Sequence, residues 1–70
     1  MKLLVEHREF DTKIANIVYS YADRKNGWYF YRVNAAGDQI GDAEYRYTKN
    51  QAIVDAADLA SYYYVDVIRL

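Results

Sequence analysis

The stretch Trp28-Tyr29-Phe30-Tyr31-Arg32-Val33 is aromatic or β-branched at every position but one. Such residues favour β-strands because their bulky side chains pack well on a pleated surface. Successive side chains of a strand point to opposite faces, so Trp28 and Phe30 share one face while Tyr29 and Tyr31 share the other. Both faces of this predicted strand are therefore apolar, whereas a strand with one solvated face alternates apolar with polar residues.

Turn-forming residues flank this strand on both sides. The segment Asp23 to Gly27 ends in Asn-Gly, which tolerates the positive φ of tight hairpin turns. The segment Asn34 to Asp38 also contains a glycine suited to a turn. We expect these turns to join the central strand to strands at Ile14 to Ala22 and Ile40 to Tyr47. Alternation over Lys2 to Arg8 predicts one further strand.

A helix is predicted after the last of these hairpins. Thr48-Lys49-Asn50-Gln51 has the pattern of a capping box, in which the Thr48 hydroxyl accepts from the Gln51 amide and the Gln51 side chain reaches back. Helical spacing of apolar residues predicts a buried face formed by Ala52, Ile53, Ala56, Ala57, Leu59, Ala60 and Tyr63. The solvated face is predicted to carry Asn50, Asp55 and Asp58.

The residues after Ser61 are rich in Tyr, Val and Ile, which predicts a final strand near Tyr64 to Ile68. A helix that continues past Ser61 is the alternative. The predicted order β-β-β-β-α-β is an α+β fold, with an antiparallel sheet of four to five strands and one helix packed on one face. Because 70 residues is about half the usual domain length, we expect a single domain over residues 1–70.

Composition argues against several classes of site. The chain has no cysteine and one histidine, His7, so disulfides and zinc sites are not expected, and we predict no cofactor and no metal. The net charge of −1 lacks the basic footprint of nucleic-acid-binding domains. No apolar run approaches the roughly 20 residues that span a bilayer. We therefore expect a soluble, cytoplasmic protein with no membrane partner.

The polar residues do not form a pattern that predicts catalysis. Asp55 and Asp58 lie three positions apart on the predicted helix, but on its solvated face, where no cleft is indicated. Neither serine lies in a nucleophile motif, and His7 has no evident partner to orient it. We predict no catalytic residues and no enzymatic activity.

The chain contains nine tyrosines. Tyrosine offers a large amphipathic contact surface with few torsions to immobilise, so it is common where proteins bind partners. Together with the two apolar faces of the central strand, this predicts a second contact surface on the sheet. The residues predicted to bind a partner are Tyr29, Tyr31, Arg32, Tyr45, Arg46 and Tyr47. Because side chains alternate between faces, about half of these six are expected to belong to the core.

Part of the sequence resembles small phage anti-CRISPR proteins of the type I-F class. The resemblance covers about the first 55 residues and rests on layout, at Met1 to Leu4, Ala15 to Tyr19, Gly37 to Gly41 and Thr48 to Gln51. It implies an antiparallel sheet with helical cover, and binding to a surveillance complex through sheet residues that include tyrosines. It also implies the cytoplasm of a bacterial host as the location.

A second segment, Gly27 to Ser61, resembles the C-terminal half of a double-stranded-RNA-binding domain. The hairpin is followed by Thr48 to Ala52 and then by the alanine-rich helix, as in that family. The resemblance implies RNA contact through lysines at the start of the helix, where Lys49 matches and Asn50 and Ile53 do not.

The function predicted from the sequence is that of a small protein-binding module. The most concrete form is a phage-type, anti-CRISPR-like inhibitor that sterically blocks a larger protein or ribonucleoprotein complex through its tyrosine-rich sheet. One alternative is a nucleic-acid-binding domain that uses sheet aromatics and arginines. Another is a homodimeric structural protein whose surplus apolar face is the dimer interface.

Overall fold

The computed structural model describes residues 11–70. The elements in order are β1 (Asn16–Asp23), β2 (Gly27–Val33), β3 (Gln39–Arg46), α1 (Lys49–Tyr63) and β4 (Asp66–Arg69). The predicted α+β class is confirmed, with one helix packed on a four-stranded sheet. The strand predicted over Lys2 to Arg8 lies outside the described residues.

The sheet has the strand order β3-β2-β1-β4. The pairs β1–β2 and β2–β3 are antiparallel hairpins, as the turn sequences predicted. The last strand pairs parallel with β1, so the sheet is mixed rather than wholly antiparallel. The cause is the direction of the connection. Since α1 returns the chain across the sheet after β3, β4 enters in the same direction as β1.

The helix begins as predicted and ends later than Ser61. Thr48 is extended (φ −117°, ψ 153°), and its hydroxyl accepts the Gln51 amide at 3.2 Å. The other half of the predicted capping box is wrong: no hydrogen bond from the Thr48 amide to the Gln51 side chain is found among residues 11–70, and that side chain donates to Asp55 at 3.0 Å. The left-handed backbone of Tyr64 (φ 60°) ends the helix, and the Val65 amide donates back to the Ala60 carbonyl at 3.0 Å. The final strand therefore starts only at Asp66.

Three alanines spaced four apart form the buried stripe of α1. Ala52, Ala56 and Ala60 pack with Ile17 of β1 and Phe30 of β2 in one buried cluster. Alanine has no side chain beyond Cβ, so the helix axis lies close to the sheet. Ala57 was predicted to be buried and is exposed. It follows Ala56 by about 100° around the helix, which turns it away from the sheet.

Gly27 provides a test of the β1–β2 hairpin. It is buried at φ +81°, and a Cβ there would overlap the carbonyl oxygens of Arg46 and Tyr47. We expect Gly27→Ala to lose about 1–3 kcal/mol of unfolding free energy from backbone strain, and about 1–3 kcal/mol more from the overlap. Urea unfolding measures the sum of these two losses.

Gly37→Ala is the matched control for Gly27→Ala. Gly37 also has a positive φ, of +89°, but a Cβ there would meet no atom within 4 Å. The control should therefore show only the strain component. Equal losses in the two variants would contradict the predicted overlap.

Candidate partner-binding face of the sheet

Three tyrosines stack on the face of the sheet opposite α1. The Tyr29 ring centroid lies 5.7 Å from that of Tyr31, at an interplanar angle of 15°, and 5.6 Å from that of Tyr45, at 25°. Tyr31 is two residues along β2 from Tyr29, and Tyr45 is its direct partner on β3, so all three project from one face. We call Tyr29, Tyr31 and Tyr45 the tyrosine ladder.

Aliphatic residues extend the ladder across the remaining strands. Val18 of β1 is the register partner of Tyr31 on one side and of Ile68 of β4 on the other. Val18 is only 5% exposed, whereas Ile68 is 45% exposed and Tyr45 is 54% exposed. An apolar strip therefore runs over all four strands, and it is most accessible at its two ends. Val18 and Ile68 were not among the residues predicted to bind a partner, although alternation along β1 and β4 could have placed them on this face.

The Tyr31 hydroxyl is partly desolvated. Desolvation raises the pKa of the Tyr31 hydroxyl above its ordinary value, and the neighbouring Tyr29 raises it further. A tyrosine with a raised pKa is neutral at physiological pH. Tyr31 therefore presents a phenol hydroxyl that can donate or accept a hydrogen bond at the apolar strip.

Arg46 was predicted to be part of the partner-binding patch and lies on the opposite face, beneath α1. Its Nε donates to Asp55 Oδ2 at 2.6 Å, and its guanidinium lies 5.3 Å from the Phe30 ring centroid. The hydrogen bond from Arg46, followed by one from Gln51, lowers the pKa of Asp55. Asp55 was predicted to be solvated and is half-buried, because it faces β3 and pairs with Arg46.

Arg32 also lies on the helix side. Its Nη1 donates to the Tyr63 hydroxyl at 3.4 Å. The β2–β3 register shifts next to it, between Phe30 and Arg32, and Gly41 stands in that irregularity at φ +77°. A Cβ at Gly41 would overlap Arg32 Nη2, so the glycine leaves room for the guanidinium. This arginine contributes to the packing of the helix on the sheet.

Tyr47 lies just beyond the end of β3 and is 88% exposed. It lines a surface depression together with Tyr45, Lys25 and Asn26. The structure thus brings together three of the six predicted residues in the ladder, with Tyr47 beside them. It places Arg32 and Arg46 on the other face.

Comparison of the chain with protein-family models, curated proteins and solved structures gave no match. The helix in the described part of the chain is too short and too polar to cross a membrane. Within residues 11–70, no three His, Cys, Asp or Glu side chains are grouped so as to hold a metal ion.

The pairing of Arg46 with Asp55 predicts a pH-dependent contribution to stability. The folded-state pKa of Asp55 is lowered, so this contribution is present above the pH at which an unpaired aspartate titrates. It is lost as the pH falls through the lowered pKa. We expect Asp55→Asn to be less stable than the wild type at neutral pH, with the difference shrinking on acidification. Thermal unfolding from neutral to acidic pH measures this.

Asp58→Asn is the control for Asp55→Asn. Asp58 is exposed on the same helix, and no salt bridge to it is found within residues 11–70. Its loss should change stability little at any pH. A stability difference for Asp55→Asn that stays constant with pH would show that the ion pair does not account for it.

Proposed function

We propose that this protein is a small non-enzymatic binding module that contacts a larger protein or ribonucleoprotein complex through its tyrosine ladder. The observation that carries the proposal is the ladder itself. Three stacked tyrosines continue into Val18 and Ile68 on a sheet face that α1 does not cover. Tyrosines beside a desolvated apolar centre are typical of the residues that dominate binding energy at protein interfaces.

The arrangement of the rings favours a protein over a nucleic acid as the partner. Tyr29 packs against both Tyr31 and Tyr45, so its ring is already occupied by stacking within the protein. A single-stranded nucleic acid needs free aromatic faces and cations along its backbone. The arginines of the described strands, Arg32, Arg46 and Arg69, all contact groups on the helix side instead. The central ring of the ladder is therefore not free to stack on a base, and the strand arginines are engaged on the helix side.

In its more specific form, the proposal is a steric inhibitor of the phage anti-CRISPR kind, acting in the cytoplasm of a bacterial host. The support for this form is the resemblance in layout to the type I-F class. A module of this size inhibits by occupying a surface that the complex needs, and the exposed ends of the strip at Tyr45 and Ile68 are the places where contact begins.

Substitutions in the ladder test the proposal. The first partner to assay is a purified type I-F surveillance complex, followed by complexes captured from bacterial lysate and then purified. We expect Tyr31→Ala and Tyr45→Ala each to weaken binding about fivefold or more, since truncating a hot-spot aromatic costs more than about 1 kcal/mol. Isothermal titration calorimetry on variants shown to be folded by circular dichroism gives the affinities.

Tyr62→Ala is the matched control, because Tyr62 is 75% exposed but belongs to α1. It should leave the affinity unchanged. Losses below about 0.5 kcal/mol for both ladder variants would remove the ladder from the interface. A sedimentation mass of two chains that reverts to one chain in Tyr45→Ala would assign the face to a homodimer instead.

A further inference from the structure

A second cluster of aromatic and charged side chains lies around Trp28, on the helix side of the sheet. The centroid of its ring is 5.5 Å from Lys49 Nζ and 5.3 Å from Arg69 Cζ, and both cations lie over the indole. Tyr21 meets the ring edge-on, with centroids 5.3 Å apart. We call Trp28, Tyr21, Lys49 and Arg69 the Trp28 cluster.

Four elements meet at this cluster. Tyr21 and Trp28 are paired next to the β1–β2 turn. Arg69 is at the end of β4, in register with Tyr19 of β1. Lys49 is the first residue of α1. None of these residues is close to all the others in sequence, so only the folded chain assembles the cluster.

The two cations of the cluster have no carboxylate partner within the described part of the chain. The salt bridges found among residues 11–70 both belong to Arg46. The first turn of α1 contains no acidic residue either. A lysine at a helix N-terminus faces the positive end of the helix dipole, which is electrostatically unfavourable. Lys49 and the helix end therefore both contribute positive potential at this place.

The charges of the described residues are unevenly distributed along the strands. In the half that contains the β1–β2 turn, five cations outnumber three acids: Arg24, Lys25, Arg46, Lys49 and Arg69 against Asp23, Glu44 and Asp55. In the other half, five acids outnumber two cations: Asp11, Asp38, Asp42, Asp58 and Asp66 against Lys13 and Arg32. The Trp28 cluster is thus the aromatic centre of a positive end in a chain whose net charge is −1.

We propose that the Trp28 cluster docks a short acidic segment, a run of Asp or Glu side chains, of a partner protein. Carboxylates of the segment pair with Lys49 and Arg69 while both cations stay over the indole. Tyr21 is 48% exposed, and its ring packs against the backbone or the aliphatic stems of the segment. Because this cluster and the ladder lie on opposite faces of the sheet, the inference is independent of the ladder.

The geometry favours an acidic protein segment over a nucleic acid. Lys49 and Arg69 lie over the indole, so Trp28 presents charge rather than a free ring for stacking a base. Tight binding to a nucleic acid also needs cations along a groove that follows several phosphates. Among residues 11–70, two cations without a salt bridge meet at this ring, which suits the closely spaced carboxylates of a short peptide.

Trp28 provides a direct readout, because it is the only tryptophan in the chain. The probe is a blunt-ended deca-glutamate peptide, titrated into the full chain at about 20 mM salt, where surface electrostatics is weakly screened. We expect a saturable change in Trp28 emission that weakens at physiological salt. A deca-glutamine peptide should produce no such change, since it lacks the carboxylates.

Matched lysine variants locate the binding. Lys49→Gln should raise the Kd of deca-glutamate at least about fivefold, because it removes one charge pair. The double variant Lys49→Gln/Arg69→Gln removes two and should raise the Kd further. Lys13→Gln removes the same charge in the other half and should leave the Kd within about twofold. Circular dichroism confirms folding, and if the double variant does not fold, the single variants Lys49→Gln and Arg69→Gln decide.

Three outcomes would overturn the inference. The first is an absence of saturable change up to about 1 mM peptide, a concentration that reaches very weak binding. The second is an equal effect of Lys49→Gln and Lys13→Gln. The third is tighter binding of a single-stranded deca-thymidylate at the same cluster, which would assign it to nucleic acid.

Discussion

The close packing of α1 on the sheet is the contact on which the rest of the structure depends. Ala52, Ala56 and Ala60 bring the helix against Ile17 and Phe30, and these five residues form the buried cluster. A single helix covers only one face of a four-stranded sheet. The aromatic residues of β2 are therefore divided into those that complete the core and those that remain for other contacts.

The face of the sheet from which a side chain projects decides which groups it can bind. Arg46 and Arg32 neighbour tyrosines in sequence, yet both are turned towards α1, where they bind Asp55 and the Tyr63 hydroxyl. These contacts hold both guanidinium groups on the helix side of the sheet. The ladder is consequently an apolar and hydrogen-bonding surface without strand arginines, and this is the basis of our proposal that it binds a protein rather than a polyanion.

The positive charge around Trp28 comes from α1 and β4. Lys49 is placed by the start of α1 and Arg69 by the parallel pairing of β4 with β1, so both reach Trp28. Had β4 run antiparallel to β1, Arg69 would lie towards Asn16, at the end of β1 away from Trp28. The mixed sheet thus determines where the charge concentrates, and it gives the domain two chemically distinct surfaces on opposite faces.

Local sequence determined the strands and the helix of this protein, and tertiary structure determined which of their side chains meet. Three features of the sequence act over a few residues: the Asn-Gly turn before Trp28, the Thr48 cap, and the alternation of Tyr29 with Phe30. From them the hairpins, the start of the helix and the two faces of β2 could be predicted. The Arg46–Asp55 pair, the parallel β4 and the cations over Trp28 join residues of different elements. Those contacts exist only once α1 has crossed the sheet, because packing rather than local propensity brings the partners together.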